Sequence, residues 1–374
     1  MTGGAGRRIA ILGSRGIPAR YGGFETFAEE LSAGLAERGF RVTVFCERES
    51  GETPPREHRG VRLVHVRALP AGPLRTVLYD LACLARSLRG YDAVYMLGYG
   101  IAWAFGLPRL FGTPLFVNMD GVEWWRAKWS PFARLYLRSM EGAAVRLAHG
   151  VFADAEGIRD HLESRHGEMR RAWTIAYGAE LVEAADEAKL LPLGVRAGEY
   201  HLVVCRIEPE NHVLEIVRGY RASGCRRPLL VVGNADGTAY SAAVRAAAAE
   251  GEDAAGRVLF PGAVYDGGAL TALRFHCRTY IHGHSVGGTN PSLLEALACG
   301  NEVIAHDNPF NREVLGGGAD YFAGEAALSA CLSRTEGTPL APERREVAWR
   351  IVRERYTWPQ IVEQYASVFA DQGA

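Results

Sequence analysis

A glycine-rich loop that leads into a capped helix is the most informative chemical feature of the sequence. The apolar segment Tyr280–His282 predicts a short strand, and the loop 283–289 follows it. Asn290 and Pro291 predict a helix start, because an asparagine side chain caps free N–H groups and proline fits the first helical turn. Such a loop and the positive end of a helix bind phosphate well. Glu295, one turn into the helix, can accept hydrogen bonds from ribose hydroxyls, so we predict a nucleotide site.

A second glycine-rich loop, residues 13–25, follows the first predicted strand and precedes an amphipathic helix. Gly22 and Gly23 thereby lie at a helix N-terminus, where glycine permits close approach of a ligand to the backbone, and Arg15 adds positive charge. A tight strand-to-helix turn with solvated arginines is the alternative. The loop lacks the GxGxxG spacing of dinucleotide-binding proteins. Glu47, at the end of the next strand, can mimic the acid that binds ribose in dinucleotide-binding proteins. A dehydrogenase therefore stays open as an alternative.

Asp120 directly follows a predicted buried strand and precedes a glycine, which places it at the carboxyl edge of a sheet. Asp-Gly is often only a turn. The charged and aromatic residues that follow, including Glu123 and Trp124, favour a site, because tryptophan commonly stacks on sugar rings. The same tryptophans also fit a hydrophobic core.

Arg206 follows another predicted strand and precedes a helix. Its guanidinium can hold a diphosphate through two parallel hydrogen bonds. A surface salt bridge with Glu208 or Glu210 is the alternative.

The sequence shows no spacing typical of a metal site: DxD, HExxH and clustered Cys/His ligands are all missing. We therefore predict no metal and no cofactor, and expect arginine, backbone amides and a helix end to neutralise a diphosphate.

The seven cysteines are scattered without a CxxC pair, which is typical of reduced thiols in the cytoplasm. The apolar run Ile9–Leu12 is too short for a signal peptide.

The elements that must position these residues alternate between strand and helix in two series, over residues 8–153 and 200–305. Alternation of this kind predicts α/β domains with parallel sheets. A chain of 374 residues exceeds one ordinary core. We predict two doubly wound, Rossmann-like domains that face a central cleft, since ligands bind at the carboxyl edges of such sheets. The predicted ranges are 1–180, 195–350 and a C-terminal helix in 351–374.

Charge and hydropathy limit the partners. The net charge of −1 provides no overall attraction to nucleic acid. Prolines and an arginine interrupt the apolar stretch 101–117, so it predicts a helix, a turn and a strand rather than a membrane span. Arginines alternate with aromatic residues over 124–146, which suits peripheral contact with an anionic membrane. A solvated helix with one core face fits equally well.

Together these motifs resemble GT-B glycosyltransferases of family 4, and within that family the bacterial rhamnosyltransferase group. The resemblance covers nearly the whole chain. It rests on Gly13–Phe27, Asp120–Trp124, Tyr177–Ala179, Arg206–Asn211, His282–Gly300, Asp307–Val314 and Tyr356–Pro359.

The resemblance implies a retaining, metal-independent glycosyltransferase that takes part in polysaccharide assembly. The donor would be a nucleotide sugar, most readily dTDP-rhamnose, and the acceptor a sugar or a lipid-diphosphate-linked glycan at the cytoplasmic face of the membrane. It also implies that the C-terminal helix crosses back to the N-terminal domain.

The resemblance gives individual residues their roles. Asp120, where many relatives carry a histidine beside the reacting sugar, and Arg206 would be catalytic. Arg15, Glu123 and Trp124 would lie on the acceptor side. The donor would be bound by Gly22, Gly23, Asn211, Gly288, Thr289, Asn290 and Glu295.

The chain departs from the family pattern at two positions. Gly287 stands where relatives carry a glutamate, which suits a donor such as a 6-deoxy sugar. Asn211 stands where they carry a lysine, and His212, Arg15 or Arg20 can replace that cation. A GT-B sugar-nucleotide epimerase, or a degenerate member that binds nucleotide as a partner of another transferase, are the alternatives.

Overall fold

Two units make up the chain. Unit one comprises Met1–Gly178 with Trp358–Ala374, and unit two comprises Ala179–Thr357. The computed structural model describes residues 6–19, 22–48, 54–68, 74–119, 121–126, 129–234, 237–250, 257–338 and 342–371.

The strands are short and mostly apolar, as expected for sheets covered by helices on both faces. They are β1 (Arg8–Leu12), β2 (Arg41–Arg48), β3 (Glu57–His58), β4 (Val61–Arg67), β5 (Ala93–Leu97), β6 (Leu115–Met119), β7 (Gly150–Ala153), β8 (Ala172–Thr174), β9 (His201–Val204), β10 (Leu229–Val232), β11 (Val258–Gly262), β12 (Thr279–His282), β13 (Val303–His306) and β14 (Asp320–Phe322).

Helices connect most of these strands. They are α1 (Gly23–Glu37), α2 (Arg75–Ser87), α3 (Pro131–Leu147), α4 (Glu156–His166), α5 (Val213–Ser223), α6 (Ala239–Ala249), α7 (Gly267–His276), α8 (Pro291–Ala298), α9 (Pro309–Leu315), α10 (Glu325–Gly337), α11 (Pro342–Arg355) and α12 (Trp358–Asp371).

Each unit contains one sheet in the part of the chain that the structure describes. Among the described residues, unit one has eight strands in the order β3-β4-β2-β1-β5-β6-β7-β8, all parallel except β3 against β4. Unit two has six parallel strands in the order β11-β10-β9-β12-β13-β14. Strand order reverses beside β1 in the first sheet and beside β9 in the second, and such reversals create the ligand crevices of doubly wound folds.

Aromatic packing holds α12 in unit one. Tyr365 on α12 packs edge-on against Phe27 of α1, with ring centroids 5.7 Å apart. Its hydroxyl accepts a hydrogen bond from the Tyr95 hydroxyl at 3.0 Å. Gly34 on α1 makes room for Val362, because a Cβ at this glycine would lie 2.7 Å from the valine side chain. The last helix is therefore part of the core of unit one.

The segment 101–113 differs from its prediction. It forms two 3₁₀ turns, Ala102–Ala104 and Pro108–Phe111, instead of a helix. Gly106 and Pro108 interrupt the segment, since glycine weakens a helix and proline lacks an N–H donor. The predicted buried strand after it is present as β6.

The C-terminal segment 351–374 also differs from a single helix. Helix α11 ends at Arg355 and belongs to unit two, whereas α12 begins at Trp358 and belongs to unit one. Thr357 between them forms an isolated parallel bridge with Ala179.

Candidate functional site

The loop after β12 has the geometry expected of a phosphate-binding loop. Asn290 caps α8, because its side-chain oxygen accepts a hydrogen bond from the Ser292 N–H at 2.9 Å. Gly287 has a φ of +119°, which favours glycine over residues with a Cβ. Gly288 and Thr289 are buried between them. The predicted donor residues 288–290 therefore lie together at the helix N-terminus.

Asn211 ties this loop to the turn before α5. Its side-chain N–H donates to the Arg206 carbonyl at 2.8 Å, and its side-chain oxygen accepts from Nδ1 of His284 at 2.8 Å. The chain also approaches closely here, because a Cβ at Gly283 would collide with the Asn211 carbonyl. In the structure, Asn211 therefore links two loops through hydrogen bonds to protein groups.

Arg206 follows β9, as predicted, and is paired. Its guanidinium lies 3.3 Å from Glu208, and its side chain is 44% exposed. This ion pair is the salt bridge that was predicted as the alternative to diphosphate binding. The pair still leaves much of the guanidinium accessible, so it can also contact ligand oxygens.

Glu295 lies one turn into α8, where Arg274 of α7 holds it. The two charged groups are 2.5 Å apart, and Arg274 is only 6% exposed. Burial alone would lower the pKa of Arg274, but the Glu295 carboxylate, Tyr280 and Cys299 together outweigh burial and raise it. Arg274 was not among the predicted site residues, because nothing in its spacing links it to Glu295.

Histidines from separate segments meet beside the same loop. The rings of His212 and His306 stack with centroids 4.0 Å apart. His212 also lies 3.1 Å from Glu215 through Nδ1 and 3.0 Å from the Ser285 hydroxyl through Nε2. A cavity of about 370 Å³ adjoins them and is lined by His212, Glu215 and Arg218 among others.

His282 closes β12 and is 4% exposed. Burial, followed by the proximity of His284 and His306, lowers its pKa to about 3. Its Nε2 has no hydrogen-bond partner among the described residues. His282 is therefore neutral at physiological pH, a property that the sequence alone does not show.

Two groups of potential metal ligands form through tertiary contacts. Within the described parts of the chain, the ligand atoms of each group lie within 4.8 Å of one another. The groups are His201, Cys225 and Glu336, and His212, Glu215 and His306. Apart from His212 and Glu215, which are three residues apart, their members lie far apart in sequence, so no short metal motif links them.

In unit one, a cavity of about 550 Å³ lies where β1, β2 and β5 end. Arg15 and Glu123, both predicted acceptor-side residues, line it. The backbone N–H of Arg15 donates to Glu25 at 3.1 Å. Gly22 precedes α1 with a φ of +125°, and Gly23 begins the helix. Arg15 is thus the predicted residue of the first glycine-rich loop that lines this cavity, whereas Gly22 and Gly23 lie outside its lining.

Asp80 on α2 also lines this cavity and was not predicted. It is 7% exposed, and burial raises its pKa to about 7. None of the described residues forms a hydrogen bond or ion pair with it. A buried carboxyl that titrates near neutrality next to a cavity is a candidate for contact with a ligand hydroxyl. The sequence signal was weak: one acid among the buried residues of an amphipathic helix.

Trp124 donates a hydrogen bond to a buried carboxylate and lies outside the lining of the unit-one cavity. Its Nε1 donates to Glu141 at 2.7 Å, and His166 and Arg165 also lie within 3.2 Å of that carboxylate. Burial raises the pKa of Glu141, but hydrogen bonds from His161, Trp124 and His166 outweigh burial and hold it at about 2. A tertiary contact therefore gives this tryptophan a structural function.

Asp120, the predicted catalytic carboxylate, directly follows β6 and lies outside the described residues. The seven cysteines are all free thiols, and all but Cys205 are buried.

Comparisons with known proteins agree with this architecture. Residues 6–180 match the model of a domain of unknown function, DUF1972. No curated protein sequence matches the chain. Sucrose-phosphate synthase from Thermosynechococcus elongatus is 18% identical, with a TM-score of 0.76 over 97% of this chain and 98% of that one.

Other solved structures are similarly related. HepE from Anabaena, in complex with UDP and glucose, is 17% identical with a TM-score of 0.74 over 97% of this chain and 99% of that one. A glycosyltransferase from Rickettsia africae is 14% identical with a TM-score of 0.73 over 98% of both chains. The two Rossmann-like domains have the GT-B glycosyltransferase fold, as predicted.

Proposed function

We propose that the chain is a glycosyltransferase that moves a sugar from a nucleotide sugar to an acceptor hydroxyl. The observation that carries this proposal is the loop from β12 to the Asn290 cap of α8, next to the strand reversal of the unit-two sheet. An anion-binding loop at this position suits the diphosphate of a nucleotide sugar. The UDP, glucose and UDP-glucose in the HepE structures support the same ligand class.

The chemistry follows from stabilising the departing diphosphate. Negative charge develops on its oxygens as the sugar leaves, and donors held in place by the fold stabilise that charge. Backbone N–H groups before α8 and the guanidinium of Arg206 would supply those donors. Glu295, held by Arg274, would accept hydrogen bonds from the ribose. Asp120 would orient the donor or acceptor, or stabilise cationic character at the sugar ring; this role rests on sequence resemblance.

The donor proposed is dTDP-rhamnose, with retention of configuration and no metal requirement. This finer assignment rests on the resemblance to family 4. Gly287 removes the carboxylate that relatives offer to the donor sugar, which suits a sugar with one hydroxyl fewer. His212, next to the loop, would supply the cation lost at Asn211.

The acceptor proposed is a sugar or a lipid-diphosphate-linked glycan at the cytoplasmic membrane face, bound in the unit-one cavity. Glu123 and Asp80 there can accept hydrogen bonds from sugar hydroxyls, and Phe24 and Tyr99 provide aromatic surface. Carboxylates beside aromatic rings suit the polar edges and apolar faces of a sugar.

A donor screen tests the proposal. Purified protein is incubated with dTDP-rhamnose or UDP-glucose, with and without a lipid-diphosphate-linked acceptor, with and without EDTA, and products are identified by mass spectrometry. We expect acceptor-dependent transfer that EDTA does not abolish. Donor conversion without acceptor would identify an epimerase, and tight nucleotide binding without turnover would identify a degenerate member.

Arg206→Ala tests the site directly. We expect a loss of at least about tenfold in kcat/KM, since one charge-assisted hydrogen bond contributes roughly 1.5–3 kcal/mol. Arg353→Ala is the matched control, because Arg353 is also an exposed arginine of unit two, 3.0 Å from Glu346. If Arg206→Ala keeps the same kcat/KM as the control and the wild type, the assignment of Arg206 is wrong.

A further inference from the structure

Three side chains that can each bind a metal ion meet inside unit two. We define the His-Cys-Glu cluster as His201, Cys225 and Glu336, whose ligand atoms all lie within 4.8 Å of one another. His201 begins β9, Cys225 follows α5, and Glu336 lies near the C-terminal end of α10. The first two are 0% and 1% exposed. The cluster therefore joins three separate segments in the protein interior.

The His-Cys-Glu cluster lies away from the proposed nucleotide site. Strands β9 and β12 run parallel in the unit-two sheet. His201 is at the amino end of β9, whereas the phosphate-binding loop follows the carboxyl end of β12. The two sites are thus at opposite edges of the sheet, and the cluster has no part in the proposed transfer chemistry.

The imidazole of His201 is buried without a hydrogen bond. Neither ring nitrogen has a hydrogen-bond partner among the described residues, and a buried polar group in that state destabilises a fold. Its Nε2 lies 3.5 Å from Oε2 of Glu336. Zinc-ligand bonds of about 2.0–2.1 Å in a tetrahedron place two such ligand atoms roughly 3.3 Å apart. A zinc ion would therefore fit between these atoms after a small adjustment.

The carboxylate of Glu336 is already oriented by its surroundings. Its Oε1 accepts hydrogen bonds from the backbone N–H groups of Arg226 at 3.2 Å and Arg227 at 3.4 Å. The Arg227 guanidinium lies 3.1 Å from Oε2. Metal-binding carboxylates are commonly held in this way. The Glu336 side chain is 24% exposed, so water can reach the fourth position of a tetrahedral ion.

The second group of potential ligands is a weaker candidate. Both ring nitrogens of His212 lie within hydrogen-bond distance of other side chains, Glu215 and Ser285. A metal ion would have to replace one of these contacts. At His201, by contrast, it would replace none among the described residues.

We propose that the His-Cys-Glu cluster binds one zinc ion that stabilises unit two. Thiolate and imidazole ligands favour zinc, whereas Mg²⁺ and Ca²⁺ prefer oxygen ligands. On binding, the Cys225 thiol releases its proton to solvent, because the thiolate is the ligand. The two positive charges of Zn²⁺ then balance one thiolate and one carboxylate. The ion would hold together the start of β9, the segment after α5 and the end of α10.

Metal analysis and thermal unfolding of the full chain test the proposal. The chain is stripped with a chelator, reloaded with zinc, freed of excess metal by gel filtration, and analysed by mass spectrometry for bound zinc. We expect one zinc ion per chain. Zinc at about a hundred times its Kd should raise Tm by roughly 5–10 °C. With Co²⁺ in place of zinc, we expect the absorption band of a cobalt-thiolate bond.

Substitution of the cysteine locates the site. Cys225→Ser should weaken zinc binding at least about a hundredfold in competition with a chromophoric chelator, since loss of a ligand exceeds the 10–100-fold effect of outer contacts. It should also remove the cobalt-thiolate band. Cys331→Ser is the matched control, because Cys331 is another buried cysteine of unit two, 4% exposed. It should bind zinc like the wild type.

Three outcomes would overturn the proposal. They are a stripped wild-type chain that binds no zinc, a cobalt-loaded wild type without the thiolate band, and a Cys225→Ser variant with wild-type zinc affinity. The cobalt spectrum of the wild type keeps the proposal testable if Cys225→Ser does not fold. None of these measurements needs a donor or an acceptor, so the proposal stands or fails independently of glycosyl transfer.

Discussion

The guanidinium of Arg274 on α7 lies 2.5 Å from the carboxylate of Glu295 on α8. Arg274 is almost fully buried, and Glu295 is about half exposed. The carboxylate proposed to bind ribose is thus also the ion partner of a buried cation. Stability and nucleotide affinity are coupled at this residue, and experiments must separate them.

Glu295→Gln should lower the free energy of unfolding by roughly 1–2 kcal/mol, because it removes the charged partner of the buried Arg274 while solvent partly screens the half-exposed carboxylate. Denaturant unfolding followed by circular dichroism measures this loss. A change of less than about 1 kcal/mol would show that solvent compensates the arginine.

The double variant Arg274→Met with Glu295→Leu separates the two functions. Replacing a buried ion pair with apolar residues is often neutral, so we expect most of the stability to return. If Glu295 binds ribose, titration calorimetry with UDP or dTDP should still show at least about tenfold weaker binding. Wild-type affinity in this variant would make Glu295 a structural residue only.

Asp80→Asn should change how stability depends on pH. The pKa of Asp80 is raised from 3.8 to about 7, so its carboxyl favours folding when protonated. In the wild type this contribution is complete below about pH 4 and is lost as the pH rises to about 7. Asparagine does not titrate, so the variant should gain stability relative to wild type over that range, by up to about 4 kcal/mol at pH 8. If the free energies of unfolding of wild type and variant change in the same way between pH 4 and pH 8, the pKa of Asp80 is not raised.

Gly283→Ala should destabilise unit two and weaken nucleotide binding, because the added Cβ would collide with the Asn211 carbonyl. Forced backbone shifts of this kind typically cost about 1–3 kcal/mol. Gly267→Ala is the matched control, since no atom lies within 4 Å of a Cβ there. It should be neutral or slightly stabilising. Thermal unfolding with and without UDP compares the two variants.

Trp124→Phe should destabilise unit one by roughly 1.5–3 kcal/mol, because it removes a hydrogen bond to the buried Glu141 carboxylate. Trp103→Phe, at an exposed position, should change stability by less than about 0.5 kcal/mol. If Trp124→Phe unfolds like wild type but loses acceptor affinity, the sequence-based acceptor role is the better description.

Local patterns were enough to predict the architecture. Strands such as Ala93–Leu97 are continuous apolar runs, and helix starts such as Asn290-Pro291 follow capping rules within a few residues. Alternation of these elements specifies a doubly wound sheet. The exception is the segment 101–113, where Gly106 and Pro108 accompany two 3₁₀ turns instead of the predicted helix.

The candidate site was only partly predictable, because local patterns identify loops but not the distant residues that they contact. The loops at strand ends were found because chain order sets which residues follow a parallel strand. The ligand roles of Arg206, Asn211 and Trp124 remain predictions, and in the structure each of these residues also contacts protein groups.

By itself, then, the sequence determined the fold class, the two glycine-rich loops and the cap of α8, since each depends on neighbours within a few residues. Only the tertiary structure decided that Arg274 pairs with Glu295, that Asp80 is buried beside a cavity, and that the rings of His212 and His306 stack. Burial and ion pairing depend on which distant segments meet, and short-range spacing carries no information about that.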